Sequence, residues 1–215
     1  IMQGKMFEGL NAVLSAILAI VVSLILCAFL LLSQGVDPIK TFSSIFYGAF
    51  GGIENFGASL VATTPLLIAS LGVILAYRAG VWNIGAEGQV FLGAMAGTWV
   101  GTSFSGLPTF IHLSLALAAS MAAGALWALI PAFMKISKGF NEVITTMLMN
   151  YIAAHFLSYA VHGPLKDPNT YAPQSPAILP TAELPRIFQG TEFHAGFFIG
   201  LVLVVFCFIF LYKTD

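Results

Sequence analysis

Residues 12–33, AVLSAILAIVVSLILCAFLLLS, run without a single charged side chain. A helix that crosses a bilayer needs ~20 predominantly apolar residues, and this run supplies them. A secretory signal peptide has a shorter apolar region and a small-residue cleavage site, so the segment is expected to stay in the mature protein despite the preceding Lys5. The rest of the chain has the same character. Only 8% of its 215 residues are charged and 59% are hydrophobic, whereas a soluble domain carries roughly a quarter charged residues. Eight Lys plus Arg and nine Asp plus Glu cannot clothe a chain of this size in water. Lipid is the solvent that fits.

Several function classes fall away on the same grounds. A net charge of −1 without a basic cluster argues against nucleic acid as a partner. No Gly-rich loop ending in Lys and Ser or Thr is present, nor a Gly-x-Ser-x-Gly elbow, so the chain is not read as an enzyme. His112, His155, His162 and His194 never pair on one helix turn, and no metal site is expected. His155 and Tyr159 are spaced to share a buried hydrogen bond. Cys27 and Cys207, each within an apolar run, read as buried small hydrophobes.

The pattern predicts an all-α, polytopic transmembrane bundle of about six spans, a single transmembrane domain over residues 1–215. After the first span, residues 34–55 hold Asp37, Pro38, Lys40 and Glu54 around TFSSIFYGAF, too short to cross and expected at the interface. Residues 56–76 form a span with Pro65 near its centre and Thr63 and Thr64 beside it. The segment AGVWNIGAEGQ then breaks hydrophobicity with Asn83, Glu87 and Gln89 and breaks helix with Gly80, Gly85 and Gly88. Apolar residues resume only through Phe104, so a discontinuous helix is expected near residues 80–90. Spans follow at 107–134, 143–161 and 194–212. Between the last two, residues 162–193 carry Pro164, Pro168, Pro176, Pro180 and Pro185 and form a proline-rich extracytoplasmic loop. Lys5, Arg78, Lys135, Lys138 and Lys213 against Lys40, Lys166 and Arg186 place both ends of the segment in the cytoplasm.

Small residues four apart clear a groove for a neighbouring helix. Gly93, Gly97 and Gly101 make one such stripe, and Ala116, Ser120, Gly124 and Ala128 make another, so their helices are expected to pack face to face. Polar residues inside spans are costly and mark the translocation path or an interhelical bond. Glu142, Thr146 and Asn150 fall at i, i+4 and i+8 on one helix face, which should look inward. With Asn83, Glu87 and Gln89 they are the candidate substrate-path residues. Glu87 is either part of that path or a loop carboxylate neutralised by Arg78. Trp82, Phe91, Trp99 and Phe140 could stack on a base, although interfacial belts are the commoner role of such rings.

RAGVWNIGAEGQ from Arg78 to Gln89, the glycine stripe, GFNEVITTMLMNYIA from Gly139 to Ala153 and GPLKDP from Gly163 to Pro168 occur in one order. Together they resemble the membrane permeases of bacterial ABC importers for nucleosides or simple sugars, a group that includes ribose and branched-chain amino-acid permeases. The resemblance implies import of nucleosides through the cytoplasmic membrane. It implies as partners a second homologous permease, two cytoplasmic ATPase subunits and an extracytoplasmic substrate-binding protein. No cofactor is implied in this chain, ATP and Mg belonging to the ATPase. Family chains continue beyond LYKTD into an ATPase-docking loop, so this chain reads as the N-terminal part of a longer permease, with Lys213 and Thr214 at the edge of that interface. An ion-coupled secondary transporter would also use broken helices, but its inverted repeat would require a second copy of WNIGAEGQ, which is absent from the sequence. A non-transporting scaffold would leave the polar residues unexplained.

Overall fold

The computed structural model describes residues 2–188 and 190–213. Among them the chain is all-α, with seven helices, one 3-10 turn at Pro180–Ala182, and no strand beyond an isolated bridge between Arg186 and His194. Four helices are long and apolar enough to cross a membrane: Val13–Ser33 within α1 (Met2–Ser33), α3 (Ile53–Arg78), α5 (Thr109–Lys138) and α7 (Gly196–Lys213). The expected third and fifth spans exist as helices α4 (Ala86–Ser103) and α6 (Glu142–His162), but their polar residues keep them below that measure.

The chain divides into two compact units, the first ending at Ser59 and the second beginning at Leu60. In the first, the described side chains of α1 from Val13 onward are mostly exposed, Cys27 among them, which corrects the expectation that this cysteine is buried. The charge-free run Val13–Ser33, with no buried residue, is suited to lipid on all sides. The short amphipathic stretch is helix α2 (Pro38–Phe50). Asp37 caps it by accepting from the Ile39 and Lys40 amides at 2.9 and 3.3 Å, and Pro38 follows at the first helical position, where its missing N–H costs nothing. At 13 residues it spans about 20 Å, too little to cross.

In the second unit, α4 and α5 form the tightest helix pair. A Cβ built on Gly93 would lie 3.0 Å from the Ser120 carbonyl oxygen, one on Gly97 would collide with the Ser120 hydroxyl, and one on Gly124 would lie 3.2 Å from the Gln89 carbonyl oxygen. At Gly93 and Gly124 a side chain would press on backbone of the facing helix, whereas at Gly97 it would displace the Ser120 hydroxyl. Gly101 lies against Ile178 and Ala182 of the long loop rather than against α5. Gly200 of α7 packs on Leu67 of α3, and Arg78 donates to the Tyr212 hydroxyl at 2.7 Å. These two contacts set α3 and α7 parallel. α5 and α6 form a tight antiparallel pair: Gly139, at φ +69°, closes α5 by donating to the Lys135 carbonyl, and Asn141 caps α6 by accepting from the Val143 and Ile144 amides.

Overpacking a contact of this kind costs about 1–3 kcal/mol. Gly93→Val in the full-length protein is therefore expected to lower the detergent-solubilised unfolding midpoint by several degrees. Gly72→Ala, where a Cβ meets nothing within 4 Å, is expected to leave the midpoint unchanged or raise it slightly.

Candidate functional site

Helix α3 stops at Arg78 and α4 begins at Ala86. The part of the connection next to α4 packs against α6: Gly85 is buried, whereas Ala79, Gly80, Trp82 and Ile84 are exposed. Gly88 would meet Asn150, Trp127 and Ala153 if it carried a Cβ, and Asn150 is eight residues into α6, about 12 Å from its first residue. The backbone at Ile84 and Gly85 therefore lies against α6, a helical turn or more from its first residue, where side chains of α6 can satisfy it.

Two side chains of α6 do so. The Asn150 amide nitrogen donates to the Ile84 carbonyl at 2.9 Å while its Oδ1 accepts from the Gly88 amide at 2.8 Å. One amide thus brackets the turn from both sides. The Thr146 hydroxyl, in a residue only 4% exposed, accepts from the Ile84 amide at 3.2 Å and donates to the Glu142 carbonyl of its own helix. Within the turn, Asn83 Oδ1 accepts from the Gly85 amide at 2.9 Å. Gly85 and Gly88 are both buried, Gly85 against Thr146 and Gly88 against Asn150, at would-be Cβ distances of 3.0 Å. These glycines serve close approach of backbone to side chain.

The break is shorter than the sequence suggests, because Glu87, Gly88 and Gln89 are helical. Glu87 in the first turn of α4 suits the positive end of the helix dipole. It is exposed, and among the described residues it pairs with no cation. Arg78 stacks over the Tyr212 ring, 5.0 Å from its centroid, and does not neutralise Glu87. Gln89 is half-buried and, with Asn83, Ser120 and Gly124, lines a cavity of about 500 Å³. Glu142 is paired with Lys135 at 2.7 Å, closing the α5–α6 end of the bundle. So Asn83, Thr146 and Asn150 meet around one turn, Glu142 stands a helical turn before Thr146, and Glu87 points away from them. Of the four rings considered for stacking, Trp82 packs edge-on with Tyr77 and Trp99 with Phe104, Phe140 is exposed and Phe91 half-buried. Lys213 is exposed at the last residue of α7, and Thr214 lies outside the described residues.

A second polar centre was not legible in the sequence. His112 is fully buried, its Nε2 lying 3.0 Å from the Val100 carbonyl and its Nδ1 2.7 Å from the Thr181 hydroxyl. A carbonyl only accepts, so Nε2 carries the proton and, in the neutral ring, Nδ1 accepts from Thr181. With the Leu179 amide donating to the Gly101 carbonyl at 2.9 Å, this fastens the proline-rich loop to the ends of α4 and α5. A cavity of about 460 Å³ lies beneath, floored by Gly97, Ala116 and Ser120 and rimmed by Glu183, Arg186 and His194. His155 and Tyr159, by contrast, share no hydrogen bond and are both exposed.

Residues 55–215 match the family described as the branched-chain amino acid transport system permease component. The chain is 36% identical over 202 residues to a guanosine ABC transporter permease protein of Bacillus subtilis, covering 93% of this chain and 58% of that protein. It is 34% identical over 208 residues to a glucose ABC transporter permease protein of Haloferax volcanii, covering 92% and 54%. A nucleoside ABC transporter permease protein of Lactococcus lactis is 32% identical over 150 residues, covering 70% and 41%. The chain thus spans little more than half the length of the first two relatives. No solved structure matches it.

Breaking a charge-free bracket of two hydrogen bonds and leaving buried backbone groups unpaired costs about 1–3 kcal/mol. Asn150→Ala is expected to raise amide exchange across residues 80–88 in the solubilised protein while leaving α5 protected. Asn150→Asp, which keeps the acceptor for Gly88 and loses the donor to Ile84, should fall between.

Proposed function

The chain belongs to the permease-component family of branched-chain amino-acid transport systems, and from that premise we propose that it is the membrane-spanning permease subunit of an ABC importer for nucleosides. The single observation that carries the substrate is its identity with guanosine and nucleoside permeases over most of its own length. The family is one of transport components, not of enzymes. In this reading ATP and Mg are handled by two cytoplasmic ATPase subunits, a second permease completes the path, and a binding protein delivers substrate outside.

α4 and α6 join the four apolar helices as spans, giving six. Thr146 and Asn150 of α6 are held by the turn before α4. Arg78, Lys135, Lys138 and Lys213 belong to one end of the second unit, the end where α3, α5 and α7 stop, and Lys166 and Arg186 lie in the long loop at the other. That bias favours the first end as cytoplasmic. Lys213 then stands where an ATPase would dock, and the loop fastened by His112 faces the binding protein. Asn83, Glu142, Thr146 and Asn150 fix the recessed turn that shapes the path, and Glu87 and Gln89 are its exposed and half-buried polar walls.

Identity with a glucose permease supports a second reading, import of simple sugars. Uptake by the full-length permease reconstituted with its ATPase and binding protein separates the two. ATP-dependent accumulation of labelled guanosine is expected, and accumulation of glucose alone would replace the nucleoside by a sugar. In the same preparation Glu87→Gln is expected to reduce uptake per assembled complex at least about tenfold with ATPase co-purification unchanged. An exposed structural carboxylate would contribute ~1 kcal/mol or less to stability and leave uptake intact.

A further inference from the structure

The cavity beneath the long loop has a fastened roof. His112 holds Thr181, the Ile187 amide donates to the Phe193 carbonyl at 2.8 Å, and the Ala195 amide donates to the Pro185 carbonyl at 3.0 Å. Thr191 and Phe193, which flank Glu192 of the rim, are buried. The floor reaches Ser120, about two helical turns along α5 from His112 and so about 12 Å below the roof. A space of about 460 Å³ with an apolar floor and a few convergent polar groups has the usual form of a small-molecule site.

The rim keeps its hydrogen-bonding capacity. Glu183 and Arg186 stand 3.8 Å apart, beyond hydrogen-bond length, and Glu192 is exposed and pairs with no cation among the described residues. His194 Nδ1 accepts from the Gly196 amide at 3.1 Å, so Nε2 carries the ring's proton and is left as a donor. A lipid chain or a further membrane helix laid across this mouth would press apolar groups on two carboxylates and a guanidinium. Water or a polar solute satisfies them without that cost.

We infer that this cavity is the receiving site of the permease, where a solute with one flat apolar end and one hydroxyl-bearing end sits before it crosses. A nucleoside has that form, and the inference rests on the importer reading above. A base fits against the floor, where Gly97 and Ala116 add little bulk, while ribose hydroxyls meet Glu183, Glu192 and His194 at the rim. A hexose carries hydroxyls on all sides and would leave several of them unpaired against Leu113, Ala116 and Leu117. The cavity also leads inward. It shares Ala94 and Ser120 with the second cavity, whose wall carries Gln89 and Asn83 of the recessed turn. A solute leaving the rim is thereby led along α4 towards that turn.

The test uses the full-length permease assembled with its ATPase in nanodiscs, its native cysteines, Cys27 and Cys207 among them, replaced by Ala. Thr98→Cys in the cavity wall is expected to react with a membrane-impermeant methanethiosulfonate at least about tenfold faster than Val202→Cys on the exposed face of α7. Guanosine is expected to slow the reaction at Thr98→Cys, and glucose at equal concentration is expected to leave it unchanged. Reaction as slow as at Val202→Cys would overturn the inference, because lipid or protein would then fill the cavity. Fast reaction that guanosine does not slow would overturn it too. Ala94→Phe supplies a second arm, since Ala94 is exposed and a larger side chain there enters the cavity. ATP-dependent guanosine uptake per assembled complex is expected to fall at least about tenfold with ATPase co-purification unchanged, and uptake at the parent rate would count against the site. Uptake by the cysteine-free parent in liposomes, with binding protein added, tests the importer reading separately. Guanosine uptake by the parent with Thr98→Cys unprotected removes the receiving site and leaves the importer standing, whereas uptake of glucose and not guanosine removes the nucleoside from both.

Discussion

Backbone that leaves the helix inside a bundle exposes amide and carbonyl groups that neither lipid nor a regular ladder can satisfy, and the second unit is organised around that constraint. The Asn150 side chain satisfies a carbonyl before the start of α4 and an amide just inside it. Thr146 takes a further amide of the same turn. The position of α4 against α6 is thereby set by hydrogen bonds, and the glycines that allow the approach, Gly85 and Gly88, are buried for that reason. From there α4 runs out along α5, where Gly93, Gly97 and Gly124 admit backbone contact.

The two ends of the second unit are fastened by different chemistry. At one end Lys135 and Glu142 join α5 to α6 through an ion pair, and Arg78 reaches Tyr212. At the other, the His112 imidazole bridges Val100 and Thr181 and draws the long loop over the ends of α4 and α5. A side chain of fixed shape with two ring nitrogens can hold two elements together from one buried position.

Much of this arrangement can be read from the sequence, and the unread part has a common cause. Glycines and polar groups inside an apolar chain mark the break after Arg78, and four-residue spacing puts Glu142, Thr146 and Asn150 on one face. Spacing within a helix says nothing of what lies opposite. That Asn150 meets Ile84, or His112 meets Thr181, depends on residues more than sixty positions apart. All three glycines disfavour helix by propensity, yet Gly88 sits within α4 for close packing and Glu87 before it favours a helix start. His155 and Tyr159 show the converse: four-residue spacing allows a shared hydrogen bond, yet both side chains are exposed and share none.

Charge in this chain is graded by depth. The ion pairs lie where solvent tempers the desolvation of both partners, at the α5–α6 end and between Glu183 and Arg186 in the long loop. Around the recessed turn the work is done by an amide, a hydroxyl and glycine backbone, groups that can be fully satisfied without burying a charge. Glu87 departs from this order, because it stands next to Gly88 at the level of Asn150, exposed and without a cation among the described residues. The helix dipole of α4 offsets part of the cost of a carboxylate there, and hydrocarbon could not offset the remainder. A carboxylate kept at that depth requires water or a partner protein beside it.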